Sequence, residues 1–239
     1  MEAIVLAGGF GTRLRALVAD VPKPMAPVGG RPFLEYVLGS LAAKGVQHVV
    51  LSVGYLGDTI SKHFGTRFEG LALDYAVEAE PLGTGGAVAA SLALCTADHQ
   101  LVLNGDTFVD LEVQALERHW QSHRRAVIVT REVPDVSRYG QLQVQGQRVL
   151  SFSEKGGRGP GIINAGVYVL PRSIFAQGTP PTPFSIETDF LAVYVGQHHT
   201  DTFVTRGEFI DIGVPEDYLR AHTLCLGRPP TASSIHPLN

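Results

Sequence analysis

Glycines and basic residues cluster near the start of the chain, directly after an apolar segment. Residues 3–6 are apolar and predict a buried strand. The loop that follows contains Ala7, Gly8, Gly9, Gly11, Thr12 and Arg13. Glycine lets backbone N–H groups approach a phosphate, because it has no Cβ and adopts positive φ at little cost. With Lys23 close behind it in sequence, the loop is suited to hold a polyphosphate.

Two familiar phosphate-binding motifs do not fit this loop. A P-loop needs a lysine and then a serine or threonine after its glycines, and neither pair follows here. A dinucleotide-binding fingerprint needs a third glycine at the position of Leu14. The glycines alone could form a simple strand-to-helix turn, but Arg13 and the Pro-Lys-Pro segment at residues 22–24 favour phosphate binding.

Two carboxylates stand at the ends of apolar segments that predict strands. Asp106 follows residues 101–103, and Asp211 follows Phe209 and Ile210. Ligands of a parallel sheet bind outside the carboxyl ends of its strands, so Asp106 should face the glycine-rich loop. An aspartate at a strand end can also serve only to form a turn. Two carboxylates beside a polyphosphate, however, need a cation between them, and oxygen-ligated Mg²⁺ is the usual choice.

Three further segments carry polar groups or glycines suited to a nucleotide or a sugar. Glu154 and Lys155 follow a predicted strand, Asn164 and Gly166 interrupt another, and residues 83–86 form a second glycine-rich helix start. The first pair could be a solvated turn, and Asn164 could mark a bulge. Each segment therefore has a structural explanation as well as a functional one.

The histidines show no metal-binding pattern in the sequence. His119 and His123 share one helix face at i, i+4 spacing, but no acidic third ligand is recognisable. His198 and His199 lie in a polar stretch and are expected at the surface. We therefore expect no zinc site, and Trp120 is expected in the core.

Length, composition and charge indicate a globular α/β protein. The chain has 239 residues, 44% hydrophobic content and a net charge of −4, which favours neither nucleic-acid binding nor a membrane partner. With no signal peptide or membrane-length apolar run, we expect a soluble cytoplasmic protein. The sequence leaves open whether it forms a homo-oligomer.

Strands and helices alternate up to about residue 110, the pattern of a parallel sheet with crossover helices. Shorter alternating strands follow. We expect one domain over residues 1–227, with a nucleotide-binding half at 1–110, a sugar-phosphate-binding half at 111–227, and a flexible tail at 228–239.

Taken together, the motifs resemble the signature of the sugar-nucleotidyltransferase family. In chain order they are LAGGFGTRL at 6–14, PKP at 22–24, NGD at 104–106, EK at 154–155, NAG at 164–166 and DIG at 211–213. The likeness covers roughly residues 2 to 225. It implies a Rossmann-like, mixed and mostly parallel sheet flanked by helices. It also implies the reaction of a nucleoside triphosphate with a sugar 1-phosphate to give a nucleotide sugar and pyrophosphate.

The resemblance also implies roles for individual residues. The nucleotide-binding set is Leu6, Ala7, Gly8, Gly9, Gly11, Thr12, Arg13, Lys23, Glu80, Gly83, Thr84, Gly85, Asn104 and Asp106. The sugar-phosphate-binding set is Gly140, Glu154, Lys155, Asn164 and Gly166. The catalytic set is Arg13 on the departing phosphates, Lys23 bridging the reacting phosphates, and Asp106 and Asp211 holding Mg²⁺. Lys155 would clamp the sugar phosphate, while Glu154 and Asn164 would bind sugar hydroxyls.

Within the family, four segments look most like the guanylyltransferases that act on D-glycero-α-D-manno-heptose 1-phosphate and supply GDP-heptose for bacterial surface polysaccharides. The segments are KPMAPV at 23–28, LSVGYLG at 51–57, EPLGTGG at 80–86 and FIDIGVPEDY at 209–218. We therefore expect GTP as the nucleotide, with Glu80 or Glu78 accepting hydrogen bonds from guanine. Both glutamates could instead face solvent.

Other substrates and one non-enzymatic function stay open at this point. Mannose 1-phosphate, another sugar phosphate or a non-sugar phosphate could replace heptose 1-phosphate, and a regulatory subunit could bind nucleotide sugars without catalysis. The paired cations and carboxylates argue against a regulator, because sensing alone does not require charge-neutralising groups.

Overall fold

The computed structural model of the chain describes residues 1–9, 21–153, 157–213 and 215–226. Its strands are β1 (Glu2–Leu6), β2 (Pro27–Val28), β3 (Arg31–Pro32), β4 (His48–Val53), β5 (Arg67–Phe68), β6 (Leu71–Val77), β7 (His99–Asn104), β8 (Thr107–Val109), β9 (Val127–Val133), β10 (Gln141–Gln145), β11 (Arg148–Ser153), β12 (Gly161–Pro171), β13 (Thr200–Val204) and β14 (Phe209–Asp211). Its α-helices are α1 (Phe33–Ala43), α2 (Gly57–Phe64), α3 (Gly83–Ser91), α4 (Val113–His123), α5 (Ala192–Gln197) and α6 (Pro215–Leu226). The structure also contains two 3₁₀ turns, Lys23–Met25 and Leu92–Leu94, and one π-helical segment, Ile186–Leu191.

Ten strands form one sheet, in the order β10-β11-β13-β9-β12-β7-β1-β4-β6-β5. The strands β7, β1, β4 and β6 are parallel, with helices between them, as the alternating sequence predicts. Strand β12 pairs antiparallel with both β7 and β9. It thereby makes one continuous sheet from strands of both expected halves, and the α/β fold with a mixed sheet is confirmed.

The sheet is covered on both faces, because its central strands are apolar at successive positions. Val5 belongs to the buried cluster that contains Leu38 of α1 and Leu116 of α4. Its neighbour Ile4 belongs to the opposite cluster, with Val88 of α3. Successive side chains of a strand point to opposite faces, so a strand buried on both faces must be apolar throughout. This burial leaves the strand ends as the places where polar groups gather.

The structure also departs from the sequence-based expectations in detail. Helix α3 begins at Gly83, inside the glycine-rich segment that predicts a helix start, whereas strand β13 was not predicted at all. Ser185 caps the segment after it: its hydroxyl accepts from the backbone N–H groups of Glu187 and Thr188. A short pair, β8 with β14, lies outside the main sheet.

The predicted boundary at residue 110 and the predicted single domain stay predictions, and the tail at 228–239 lies outside the described residues. Among the described helices, none combines the length and apolar character needed to span a bilayer.

Candidate active site

The candidate site lies at the carboxyl ends of β1 and β7. Leu6 and Asn104 are partners in the parallel register of these strands. Beyond them the two chains stay together, because the N–H of Gly105 donates to the carbonyl of Leu6 at 2.8 Å. The start of the glycine-rich loop and the segment containing Asp106 therefore leave the sheet side by side.

The two described glycines of the first loop differ in what requires them. A Cβ on Gly8 would lie 2.8 Å from Oε1 of Glu78 and 3.1 Å from the backbone N of Gly54. Gly9 is exposed and would meet nothing within 4 Å. Gly8 is thus needed for packing, whereas no described atom would contact a Cβ at position 9. Gly11, Thr12 and Arg13 lie outside the described residues, so their roles stay predictions.

The ammonium group of Lys23 and the carboxylates of Asp106 and Asp211 converge. Nζ of Lys23 donates to Oδ2 of Asp106 and lies 3.8 Å from Oδ1 of Asp211. Lys23 opens a 3₁₀ turn, Asp106 follows β7, and Asp211 ends β14. Three separate segments thus bring one cation and two anions together.

The short β8–β14 pair positions the second carboxylate. Asp211 is the register partner of Thr107, and the N–H of Ile212 donates to the carbonyl of Asp106 at 3.0 Å. The N–H of Gly213 donates to Oδ1 of Asp211 at 2.7 Å. A Cβ on Gly213 would lie 2.7 Å from that same oxygen and 3.1 Å from Nζ of Lys23. Glycine at this position therefore leaves room for the carboxylate and the ammonium group.

The surroundings of Asp211 disfavour its ionised form. Burial raises the pKa of Asp211, the charge of Asp106 raises it further, and the charge of Lys23 opposes both effects. Lys23 supplies one positive charge for two carboxylates. A site with two oxygen donors and surplus negative charge fits a divalent cation such as Mg²⁺, which favours carboxylate ligands. The donor set thus agrees with the predicted metal ligands, whose role stays a prediction.

A cleft of about 830 Å³ opens beside Asp211, within the usual range for small-molecule sites. It is lined by Asn104, Thr107, Tyr139, Gly140, Phe152, Asn164, Ala165, Gly166, Ser185, Glu187, Thr188, Ala192, Phe209 and Asp211. The structure therefore gathers Gly140, Asn164 and Gly166, three members of the predicted sugar-phosphate set, around one cavity. Glu154 and Lys155, the other two, lie outside the described residues.

A bulge in β12 brings Asn164 to this cleft. The register of β12 against β9 shifts between Asn164 and Tyr168, as the bulge alternative predicts. Oδ1 of Asn164 accepts from the N–H of Gly166 at 2.9 Å. Gly166 has a φ of +70°, and a Cβ there would lie 2.8 Å from Nδ2 of Asn104. The glycine is therefore required both by its backbone conformation and by the neighbouring amide.

Glu187 and Tyr168 extend this polar network, and neither was predicted as a site residue. Nδ2 of Asn164 donates to the hydroxyl of Tyr168 at 2.8 Å, and this hydroxyl donates to Oε1 of Glu187 at 3.0 Å. Burial, together with the charge of Glu187, raises the pKa of Tyr168 well above its ordinary value. Tyr168 therefore stays a neutral donor. The sequence did not indicate that Glu187 belongs to this polar network, because a glutamate near the start of a capped helix is common for structural reasons alone.

The second glycine-rich segment packs against the Phe184 region. A Cβ on Gly83 would lie 2.4 Å from the carbonyl oxygen of Phe184, and one on Gly85 would lie 2.1 Å from its ring. The N–H of Gly85 donates to that carbonyl at 2.9 Å, and the Oγ1 of Thr84 accepts from the N–H of Ile186 at 2.9 Å. These contacts explain the residue types at positions 83–85, and their nucleotide-binding role stays a prediction.

The two glutamates before this segment differ in surroundings. Glu80 is exposed. Glu78 is partly buried, with Oε1 accepting from the hydroxyl of Ser52 at 2.9 Å and Oε2 from the N–H of Leu82 at 3.1 Å. Glu78 therefore connects the end of β4 to the start of α3, which leaves Glu80 as the more accessible acceptor.

Comparison with known proteins assigns the family. A family model described as Nucleotidyl transferase matches residues 2–227. The chain belongs to this family. This nucleotidyl transferase is 39% identical over 222 residues to the D-glycero-α-D-manno-heptose 1-phosphate guanylyltransferase of Aneurinibacillus thermoaerophilus, an alignment that covers 92% of this chain and 96% of the relative.

Two further matches agree with the assignment. The chain is 33% identical over 226 residues to the mannose-1-phosphate guanylyltransferase of Mycobacterium tuberculosis, covering 92% of this chain and 63% of that protein. The crystal structure of HddC from Yersinia pseudotuberculosis complexed with GMP-PN superimposes with a TM-score of 0.83 and 38% identity, over 94% of this chain and 99% of that one. These matches confirm the predicted family and fold of this nucleotidyl transferase.

Proposed function

We propose that the protein transfers guanylate from GTP to D-glycero-α-D-manno-heptose 1-phosphate, giving GDP-heptose and pyrophosphate. The observation that carries this proposal is the convergence of Lys23, Asp106 and Asp211 beside the cleft. The relative named as a heptose 1-phosphate guanylyltransferase supports the substrates, because it matches this chain over nearly its whole length.

The proposed reaction needs charge neutralisation more than proton transfer. A phosphate oxygen of the sugar 1-phosphate attacks the α-phosphorus of GTP. The bond from that phosphorus to the oxygen bridging it to the β-phosphorus breaks, and pyrophosphate leaves with the electron pair. The attacking oxygen is already ionised at neutral pH, so no general base is needed. Alignment and cations lower the barrier.

Each charged residue of the site has a distinct place in this reaction. Lys23 contacts phosphate oxygens at the reacting centre, exchanging its contact with Asp106 for one with substrate. Asp106 and Asp211 would hold Mg²⁺, which would supply Lewis-acid stabilisation to the reacting phosphates. Arg13 and Lys155 lie outside the described residues. In the proposal, Arg13 neutralises the departing phosphates and Lys155 binds the phosphate of the sugar.

The polar network of the cleft is suited to the sugar. Asn164 and Glu187 line the cavity, and their side-chain oxygens and nitrogens are held by neighbours from β12 and the Ser185 cap. A preorganised set of donors and acceptors can bind hydroxyl groups without further ordering. Glu154 joins this set in the proposal. We assign the guanine contact to Glu80, because Glu78 already accepts hydrogen bonds from Ser52 and Leu82.

Mannose 1-phosphate is the second candidate substrate. The mannose-1-phosphate guanylyltransferase match favours it at 33% identity, below the 39% of the heptose relative. The two sugars differ beyond the ring, so the choice depends on groups that meet the extended side chain of heptose. We place the protein in the cytoplasm, as a supplier of GDP-heptose for surface polysaccharide.

A matrix of four nucleoside triphosphates against heptose, mannose and glucose 1-phosphates tests the proposal, with pyrophosphate release as the readout and Asp106→Asn as the blank. We expect the highest kcat/KM with GTP and heptose 1-phosphate. A higher value with mannose 1-phosphate would select the second candidate. Absence of pyrophosphate release with every pair would contradict a transferase function.

A further inference from the structure

A second group of metal-ligating side chains lies away from the candidate active site. His119 and His123 stand one turn apart on α4, and Asp201 is the second residue of β13. Their potential ligand atoms all lie within 4.8 Å of one another. The group is three strands away from β7 in the sheet, near the amino-terminal end of β13, whereas Asp106 follows the carboxyl end of β7.

The carboxylate at the centre of this group is buried and only half satisfied. The side chain of Asp201 is 3% exposed. Its Oδ2 has no hydrogen-bond partner within the described part of the chain, and the same is true of the buried Nε2 of His119. These two atoms lie 3.4 Å apart, within ion-pair range but without hydrogen-bond geometry. An unpaired buried carboxylate oxygen is costly, so it points to a missing partner.

The distances from the carboxylate of Asp201 to the two histidines suit one tetrahedral ion. Oδ2 of Asp201 lies 3.4 Å from Nε2 of His119 and 3.4 Å from Nδ1 of His123. Ligand atoms bound at about 2.0–2.1 Å to a tetrahedral Zn²⁺ are separated by roughly 3.3–3.4 Å. Nδ1 of His123 lies 3.1 Å from the carbonyl oxygen of His119, so binding the ion would require the ring to turn that nitrogen from the carbonyl to the metal.

The other oxygen of Asp201 is held from outside the group. Its Oδ1 lies 3.0 Å from Nε2 of His199 and 3.7 Å from a guanidinium nitrogen of Arg125. Such contacts orient a ligating carboxylate and direct its free oxygen to the metal. His199 therefore has the place of an orienting residue, and its side chain is exposed, as the polar stretch around it predicts.

We propose that His119, His123 and Asp201 bind one Zn²⁺ ion, with water in the fourth position. The ion would join the end of α4 to the start of β13 and satisfy both orphaned atoms. It would be structural, since the group lies apart from the cleft and its carboxylates. This group is not recognisable in the sequence, because Asp201 lies on a strand that was not predicted, 82 and 78 positions from the two histidines.

Zinc titration tests this proposal directly. The purified full chain is stripped with a chelator and titrated with ZnCl₂ against a chromophoric zinc indicator, in parallel with His119→Ala/His123→Ala. Wild type should bind one equivalent of zinc and gain thermal stability. The double variant should lose both effects. Co²⁺ in place of Zn²⁺ should give the visible absorption of a tetrahedral site.

Three variants make the test specific. His198→Ala removes the neighbouring histidine, which stacks on Tyr194, and should leave zinc affinity unchanged. His199→Ala should weaken it by about 10- to 100-fold, the usual effect of losing an orienting contact. Asp106→Asn should leave it unchanged, because the two sites are separate. The proposal is overturned if wild type binds no stoichiometric zinc, or if the double variant binds it as tightly as wild type. Circular dichroism of the double variant should show that the replacements leave the fold intact.

Discussion

The ammonium group of Lys23 contacts the carboxylate of Asp106 across 83 positions of sequence. Lys23 also lies within ion-pair distance of Asp211, so one lysine stands between two carboxylates at the edge of the cleft. In the proposed reaction, Lys23 would contact a phosphate oxygen while the two carboxylates would hold a metal ion.

Replacing Lys23 should damage catalysis specifically. Lys23→Met removes the charge that is proposed to contact the reacting phosphates, and turnover should fall by roughly 100-fold or more, the scale of a lost electrostatic contact. Lys44→Met is the matched control, because Lys44 also pairs with an aspartate, Asp110, at 2.5 Å. Steady-state kinetics should separate the two variants. Equal activity in both would contradict the proposed role of Lys23.

The carboxylates should be required for metal-dependent turnover. Asp106→Asn and Asp211→Asn each remove a proposed Mg²⁺ ligand, so each should cut kcat by roughly two or more orders of magnitude. Activity should disappear in EDTA and return with Mg²⁺. Asp110→Asn serves as the control and should stay active. Full activity of wild type in EDTA would show that these carboxylates do not act through a metal.

Asp211→Asn should also change the pH dependence of stability. The pKa of Asp211 is raised by burial and by Asp106, so its ionisation disfavours the folded state. This cost is present above the raised folded pKa, and it vanishes as the pH falls below the unfolded-state value. In metal-free buffer the variant should therefore match or exceed wild type in stability at neutral pH, with the difference shrinking in acid. Urea unfolding at a series of pH values measures it, and a variant that is less stable at neutral pH would contradict the assignment.

A methyl group at position 213 should displace the second carboxylate. In Gly213→Ala the new Cβ would lie 2.7 Å from Oδ1 of Asp211, closer than a real contact allows, so the carboxylate must shift. We expect lower kcat and a higher Mg²⁺ requirement. Gly196→Ala adds the same group where nothing lies within 4 Å, and its kinetics should match wild type. Unchanged kinetics in Gly213→Ala would mean that the position of this carboxylate does not matter.

The sheet and the family were predictable because their signals are local. The apolar segments that became β1, β4 and β7 are buried on both faces over most of their length, so their composition alone indicates strands. The motif around Asp106 follows such a strand directly. Its place at the sheet edge therefore follows from the parallel topology.

Features made by distant segments were not predictable in the same way. Glu187 contacts Tyr168 and Thr84 only after the chain folds. In the sequence, its place just after the capping Ser185 is enough to explain a glutamate, so these contacts could not be foreseen. Strand β13 begins with polar residues and follows two histidines, so neither alternation nor hydrophobicity marks it. The grouping of Asp201 with His119 and His123 depends on that strand.

One competition experiment tests the central claim most directly. GTP, ATP, CTP and UTP are supplied at equal concentration with limiting D-glycero-α-D-manno-heptose 1-phosphate and Mg²⁺, and the nucleotide sugars formed are quantified by mass. Product ratios equal the ratios of kcat/KM. A site that accepts hydrogen bonds from guanine would leave those acceptors unpaired when another base is bound. We therefore expect GDP-heptose to be the main product, with one pyrophosphate released per molecule of GDP-heptose. A mixture dominated by any other nucleotide sugar would contradict the account.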